Sequence, residues 1–416
     1  MSLRSFRNAG HIPTLVSAFL YFDVSFMVWV ILGPLGPFIG ESLHLSASQK
    51  GFLTAVPLLG GSFFRLILGA TTERFGGRRT ALTGMALTLI PLLIGWKFAS
   101  TFPEFLGLGM LLGIAGASFA AALPLVSEWY PPEYQGLALG IAGAGNSGTL
   151  MASLFAPRLA QIFGWRSVFA FVALPVIAVW IAFFVLAKDA PVRRTVKRWK
   201  DYASILRVGD SAWFCFLYSL TFGGFSGFAS YLSIFFRDQY HVSKVTAGDL
   251  TTFVVLFGSF LRPIGGVMAD KLGGYRMLLV LFSTAVFALA LLATLPATVM
   301  AVALFALLMA MLGLGNGSVF QLVPQRFPDR VGIMTGLVGA AGGLGGFVLP
   351  SVMGLVKDKT GSFSAGFTIV ACFFLAGLTA LVYLRSIWRQ SWPTAAAERA
   401  GLLSTQPAGA TAYAAE

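Results

Sequence analysis

Apolar stretches recur along the whole of this chain, each about 20 residues or longer, the length a helix needs to cross the hydrocarbon core of a bilayer. No other feature constrains the fold as tightly. Within a bilayer, backbone polar groups must be satisfied inside a helix or a closed barrel, and unbroken apolar runs of this length select the helix. Hydrophobic residues fill 57% of the 416 positions and charged residues 11%; a soluble domain of that size cannot hide so much apolar surface. The first run, 14–38, is too long for a secretory signal and lacks a cleavage site, so it is expected to persist as the first span.

Twelve spans follow from the runs: 14–38, 50–71, 80–98, 105–128, 137–163, 167–187, 211–236, 246–270, 276–295, 297–323, 331–356 and 363–385. The one long hydrophilic stretch divides them six and six. The expected organisation is a six-helix half over 1–187, a cytoplasmic basic linker over 188–210, a second six-helix half over 211–385, and a cytoplasmic tail over 386–416 whose Ala/Thr-rich composition predicts disorder. A net charge of +13 raises the question of nucleic acid. The distribution of that charge answers it. Arg4 and Arg7; Arg74, Arg78 and Arg79; Arg193, Arg194, Lys197, Arg198 and Lys200; Lys271 and Arg276; Arg326 and Arg330; and Arg385 and Arg389 fall in alternate loops. This is the positive-inside pattern, which places both termini in the cytoplasm and the chain in the cytoplasmic membrane. The lipid bilayer is the partner it implies, not nucleic acid. Cys215 and Cys372 are isolated, the three histidines fall near span ends, and no His/Cys/carboxylate cluster has metal spacing. Neither a metal nor a cofactor is expected.

Charges inside the spans are rare and repeated. GSFFRLILGATTERFGGRR places Arg65 within span 2, and GSFLRPIGGVMADKLGGYR places Arg262 within span 8, an offset of 197 (262 − 65). Tyr21 and Tyr218 share that offset; GLALGIAGAGNSG from Gly136 aligns with GIMTGLVGAAGGLGG from Gly332; GIAGAS from Gly113 resembles GLGNGS from Gly313. Spans 1–6 and 7–12 are therefore parallel repeats about an axis along the membrane normal, which puts a substrate site near the midplane between them. Each arginine precedes an acid, Glu73 or Asp270, by about 12 Å of helix, so both lie well inside the bilayer. A charge there costs about 2.5–3.5 kcal/mol on insertion scales and marks a functional site by default. Two symmetry-related guanidinium groups make a positive pocket, and their planar forks of donors suit carboxylate, phosphate or a planar oxyanion. The plainer alternatives are snorkelling or a structural pair with a carboxylate elsewhere.

The loop after span 2, Gly69 to Arg79, resembles the loop 2–3 signature of the major facilitator superfamily, with Glu73 in place of the usual Asp and one extra Gly. GVMADKLGGYR from Gly266 is its second copy. Together with GAGNSG in span 5 and GGLGGF in span 11, these segments make the chain similar, over essentially its full length, to the nitrate/nitrite porter family of that superfamily. The resemblance implies an all-α membrane protein with the major facilitator fold, twelve transmembrane helices in two pseudo-symmetric halves. It also implies that Arg65 and Arg262 bind the substrate, with Phe119 in span 4 and Tyr218 and Phe222 in span 7 presenting aromatic faces to it.

Several further residues are candidates for movement or coupling. In the two loop motifs, Gly69 and Gly266 permit close helix packing, Glu73 and Asp270 can bind a neighbouring helix N-terminus, and Arg74 and Arg78 hold the loop inside. The small-residue faces Gly143, Gly145 and Gly148 in span 5, and Gly342, Gly343, Gly345 and Gly346 in span 11, let spans of opposite halves slide and tilt. Asn146 lacks a counterpart in the second copy and can supply an amide to the substrate or an interhelical bond. Asp23, the lone acid within span 1, and Glu128, at the cytoplasmic end of span 4, are candidate proton relays, with a helix cap or a partner for a buried arginine as the plainer roles.

The expected function is secondary transport of nitrate and/or nitrite by alternating access, either as nitrate/proton symport or as nitrate/nitrite antiport, in a carrier working as a monomer. A transporter of another small anion (formate, oxalate or an organophosphate) and a membrane nitrate sensor that moves nothing remain as alternatives. An enzyme is not expected, because no nucleophile–base constellation appears.

Overall fold

The computed structural model describes residues 3–191, 205 and 208–403. Among these, eleven helices are long and apolar enough to cross a membrane: Ile12–Ser42, Ala47–Phe75, Gly77–Lys97, Phe102–Ser127, Trp165–Leu186, Gly209–Tyr240, Lys244–Leu272, Gly274–Leu292, Thr298–Arg326, Val331–Thr360 and Ser364–Ser391. The twelfth expected span, span 5, is present but broken. It runs as Pro132–Gly143 and Gly148–Phe163, joined by a 3-10 turn at Ala144–Ser147. The cause is the GAGNSG segment. Glycine is a poor helix former, and here its lack of a side chain is used: a Cβ on Gly145 would lie 2.9 Å from the Asp23 nitrogen, and one on Gly148 would lie 2.8 Å from the Met27 nitrogen. Span 5 is thus pressed against span 1. Spans 1 and 4 are also jointed, at Val30–Ile31 and at Ala117–Ser118.

The backbone repeats as the sequence does. Positive φ occurs at His44 and His241, at Gly76 and Gly273, and at Gly164 and Gly361, each pair separated by 197 positions. Ser46 and Ser243, also 197 apart, cap spans 2 and 8 by accepting from the nitrogens of Gln49 and Thr246. The extra glycine of the loop motif is explained here: Gly76, at φ 97°, turns the chain between spans 2 and 3 through a conformation that a side chain resists.

The tail departs from the expected disorder. Span 12 continues to Ser391, and Thr394–Arg399 forms another helix. The Ala400 carbonyl accepts from the Tyr275 nitrogen at 3.0 Å, and Arg276 donates to the carbonyls of Gly401 and Leu403. Alanine is the best helix former, and Trp392, Ala396, Ala397, Ala400 and Leu402 are buried, so this segment packs under the second half instead of unravelling. The rest of the tail, 404–416, lies outside the described residues, as does most of the basic linker. At the start of that linker, the Asp189 carboxylate accepts from the Arg78 nitrogen and the Lys188 nitrogen donates to Thr14.

Candidate substrate site

Six residues singled out from the sequence meet between the two halves. Arg65 projects from span 2 and Arg262 from span 8, and both are buried, at 3% and 9% exposure. Among the described residues, neither pairs with a carboxylate, which removes the structural ion pair as their explanation. Each instead reaches across the molecular axis. Arg65 donates to the Gly339 carbonyl of span 11 in the opposite half and, at 3.0 Å, to the Gly116 carbonyl of span 4 in its own. Arg262 donates to Asn146 Oδ1 of the opposite half at 3.2 Å and to the Tyr218 hydroxyl of its own at 3.4 Å.

Aromatic rings line the space between the arginines. The Arg65 guanidinium lies 5.4 Å from the Phe119 centroid and 5.6 Å from that of Phe222; the Arg262 guanidinium lies 5.7 Å from each. Tyr218 and Phe222 stack with their planes within 1°, held by Gly342, whose absent side chain leaves room for both rings. Two donors remain buried without a protein partner, Arg65 Nε and Asn146 Nδ2. The pocket therefore offers positive charge, ring faces and free N–H groups, with no acid to neutralise them. Two contributors had no signal of their own. Trp29, 5.8 Å from Arg65 and stacked on Phe222, is anchored by its indole nitrogen to the Pro57 carbonyl at 2.6 Å. Phe320 packs on both Tyr218 and Phe119; it follows GLGNGS in span 10 much as Phe119 follows GIAGAS in span 4, one residue out of register.

The Major Facilitator Superfamily profile matches residues 17–350. The chain is 32% identical over 380 residues to the probable nitrate/nitrite transporter NarK2 of Mycobacterium tuberculosis, covering 89% of this chain and 95% of that one. It is 33% identical to the nitrite extrusion protein of Bacillus subtilis, over 93% of this chain and 97% of that one. The chain belongs to the nitrate/nitrite porter family of the major facilitator superfamily. It is accordingly a multi-pass membrane transporter and not an enzyme. Its fold is also that of the D-xylose–proton symporter, with a TM-score of 0.72 and 17% identity over 90% of this chain and 97% of that one.

In this porter the halves are closed on one side and parted on the other. Toward the outer face the glycines of facing spans touch the opposite half: a Cβ on Gly51 would lie 2.5 Å from the Pro350 carbonyl, one on Gly343 3.0 Å from the Leu58 carbonyl, and one on Gly248 2.6 Å from the Ser153 carbonyl. Toward the cytoplasmic face, Cβ atoms on Gly143, Gly266 and Gly336 would meet nothing within 4 Å, one on Gly69 would meet only Ala120 of its own half, at 4.0 Å, and one on Gly140 would come no closer to the opposite half than 3.9 Å, at Pro263. The porter therefore faces the cytoplasm. The glycine signatures make different contacts: Gly343 meets span 2 across the seam, Gly346 meets both Ser226 of span 7 in its own half and Leu58 of span 2, Gly145 and Gly148 seat span 1, and Gly342 and Gly345 seat span 7, within their own halves. Glu73, Arg74 and Asp270 lie at the cytoplasmic span ends, Arg74 and Asp270 exposed there.

Ion pairs close the outer side. Lys50 of the first half meets Asp238 of the second at 2.8 Å, Arg158 meets Asp249 at 2.6 Å, and Glu41 meets Arg237 and Lys244 at 3.1 and 2.5 Å. Asp358 of span 11 accepts from Ser46, Ala47 and Ser48 at the N-terminus of span 2, where a carboxylate complements the helix dipole. Removing Lys50 is expected to loosen this seam modestly, because such pairs contribute about 1 kcal/mol or less. With Lys50→Ala, a cysteine replacing Ser62 should react about threefold faster with an impermeant reagent added outside; an unchanged rate would retire the latch.

The two candidate carboxylates part company. Asp23 accepts from Ser147 Oγ of the broken span 5 at 2.5 Å, one residue from Asn146 and hence one step from Arg262. Glu128 stands at the cytoplasmic end of its helix, half-exposed, with its nitrogen donating to the Pro124 carbonyl.

Proposed function

We propose that the porter carries nitrate and/or nitrite by alternating access, with the anion held between Arg65 and Arg262. The observation that supports this most is the carboxylate-free pair of buried guanidinium groups, joined by the unpartnered Arg65 Nε and Asn146 Nδ2 and flanked by Phe119 and Phe222. A flat, singly charged, weakly hydrated oxyanion matches that set. Its edge takes the planar donor forks, and its faces rest on the rings. The names of the relatives in Mycobacterium tuberculosis and Bacillus subtilis favour the same substrates. A multiply charged phosphate calls for more cationic groups than two, which ranks organophosphates lower.

Each arginine holds one acceptor in the opposite half, so the anion and both halves share one network. Binding the anion relieves the repulsion between the guanidinium groups and stabilises the occluded arrangement, which is the differential stabilisation that alternating access needs. Exchange of nitrate for nitrite follows if the empty site resists closure. Proton symport follows if Asp23, next to Asn146 through Ser147, carries a proton when the site reorients. Asp23→Asn is then expected to abolish proton-driven uptake and spare exchange. Labelled nitrate flux into proteoliposomes, with and without internal nitrite and with and without a pH gradient, tests both; loss of neither makes Asp23 a structural tie between spans 1 and 5. No flux of either anion in the wild type overturns the reading.

A further inference from the structure

Asn316 belongs to none of the contacts described so far. It lies in the middle of span 10, has no exposed surface, and neither its amide nitrogen nor its amide oxygen has a hydrogen-bond partner. Burying an amide unpaired is unfavourable, so a state that leaves it so points to another state in which it is paired. Its surroundings identify the partner. A Cβ on Gly315 would touch Thr221 of span 7, and one on Gly317 would lie 2.9 Å from the Arg262 carbonyl of span 8. Asn316 therefore sits where span 10 meets spans 7 and 8, beside the turn that carries Arg262.

The internal repeat sharpens this. GIAGAS and GLGNGS put Asn316 at the place of Gly116, and the Gly116 carbonyl is the own-half acceptor of Arg65. That carbonyl is available because span 4 breaks: its first helix ends at Gly116, and the Ala120 nitrogen turns to the Ala117 carbonyl. Span 10 is continuous from Thr298 to Arg326, so the carbonyl at position 316 is engaged in the helix. A side-chain amide stands there, at the place where a broken backbone offers its carbonyl in the first half.

We propose that Asn316 is the alternative acceptor for the Arg262 guanidinium. In the cytoplasm-facing state Arg262 is held by Asn146 of the opposite half. When the halves rock to open outward, Asn146 withdraws with span 5 and Asn316, which travels with Arg262, takes its place. The buried charge is never left without an amide, and the exchange lowers the barrier to reorientation. Asn316 is a positioning residue in this scheme, acting through Arg262, and the inference rests on Arg262 being a site arginine.

The test reads conformation without any substrate. Spin labels at Phe75 and Gln325, the cytoplasmic ends of spans 2 and 10, are introduced with Cys215 and Cys372 replaced by serine, and their distance distribution is measured in the anion-free porter. Asn316→Leu removes the outward-state acceptor and is expected to shift the ratio of outward to inward populations about tenfold towards inward, to lower flux by about the same factor, and to leave nitrate affinity of the inward state within about twofold. Asn316→Asp offers Arg262 an ion pair and is expected to shift the ratio the other way. Wild-type distributions in the leucine variant, or shifts of the same sign in both variants, overturn the proposal. Because the distances need no transported anion, failure of wild-type nitrate flux sinks the assignment of substrate and leaves this result standing.

Discussion

Arg65→Lys is expected to reduce anion flux by about 100-fold or more while leaving the porter folded. The estimate follows from what the guanidinium does. Two of its nitrogens are committed to carbonyls in opposite halves, Gly339 and Gly116, and the third is buried without a protein partner. An ammonium at the end of a flexible stem cannot hold both carbonyls and present a planar edge to the anion. Hydrogen bonds to charged groups contribute about 1.5–3 kcal/mol each, and about 1.4 kcal/mol is tenfold in an equilibrium constant; the loss of two gives the figure. Arg262→Lys is expected to be milder, since its bonds to Asn146 and Tyr218 are longer, at 3.2 and 3.4 Å. Uptake into proteoliposomes beside anion affinity in detergent separates the two effects. Near-normal flux in Arg65→Lys would show that the anion binds elsewhere.

Gly143→Trp is expected to stop transport altogether by a different route. In the cytoplasm-facing state a Cβ at Gly143 meets nothing within 4 Å, so the variant is expected to fold and to bind its anion from the cytoplasmic side. Closing that side brings the facing spans together, and an indole has no room there. The expected result is binding without turnover, with the porter held in one orientation. Full flux would mean that span 5 does not approach the opposite half at this level.

The arginines were legible because charge in an apolar run is rare and because it occurs twice at a fixed offset. Tyr218 shared that offset, and the glycine-rich segments of spans 5 and 11 were distinctive as strings. Trp29 and Phe320 were not legible: among 9 Trp and 39 Phe, a ring that lines a site has the same helical spacing as one that packs against lipid. The carbonyls of Gly116 and Gly339 have no side-chain signature at all. The break in span 5 was hidden because Gly, Ala, Asn and Ser sit inside an otherwise apolar run, and the run's length reads as one helix. The order of the tail is hidden for the opposite reason: alanine-rich composition suggests a solvated chain, whereas Trp392 packs on Phe214 and Trp388, and the carbonyls of Ala400, Gly401 and Leu403 accept from the start of span 9. The state of the carrier could not be read from composition, since it depends on which glycines touch and which do not.

The outer seam has a consequence for the medium in which such a cell lives. Its charged pairs, Lys50 with Asp238, Arg158 with Asp249 and Glu41 with Arg237 and Lys244, face the side bathed by the environment, where dissolved ions reach them. The screening length falls from about 30 Å in dilute fresh water to about 3 Å in brine. Under the proposed alternating access, external salinity is expected to act on the resting balance between the two orientations without touching the substrate pocket, and saltier surroundings to favour the outward-open form.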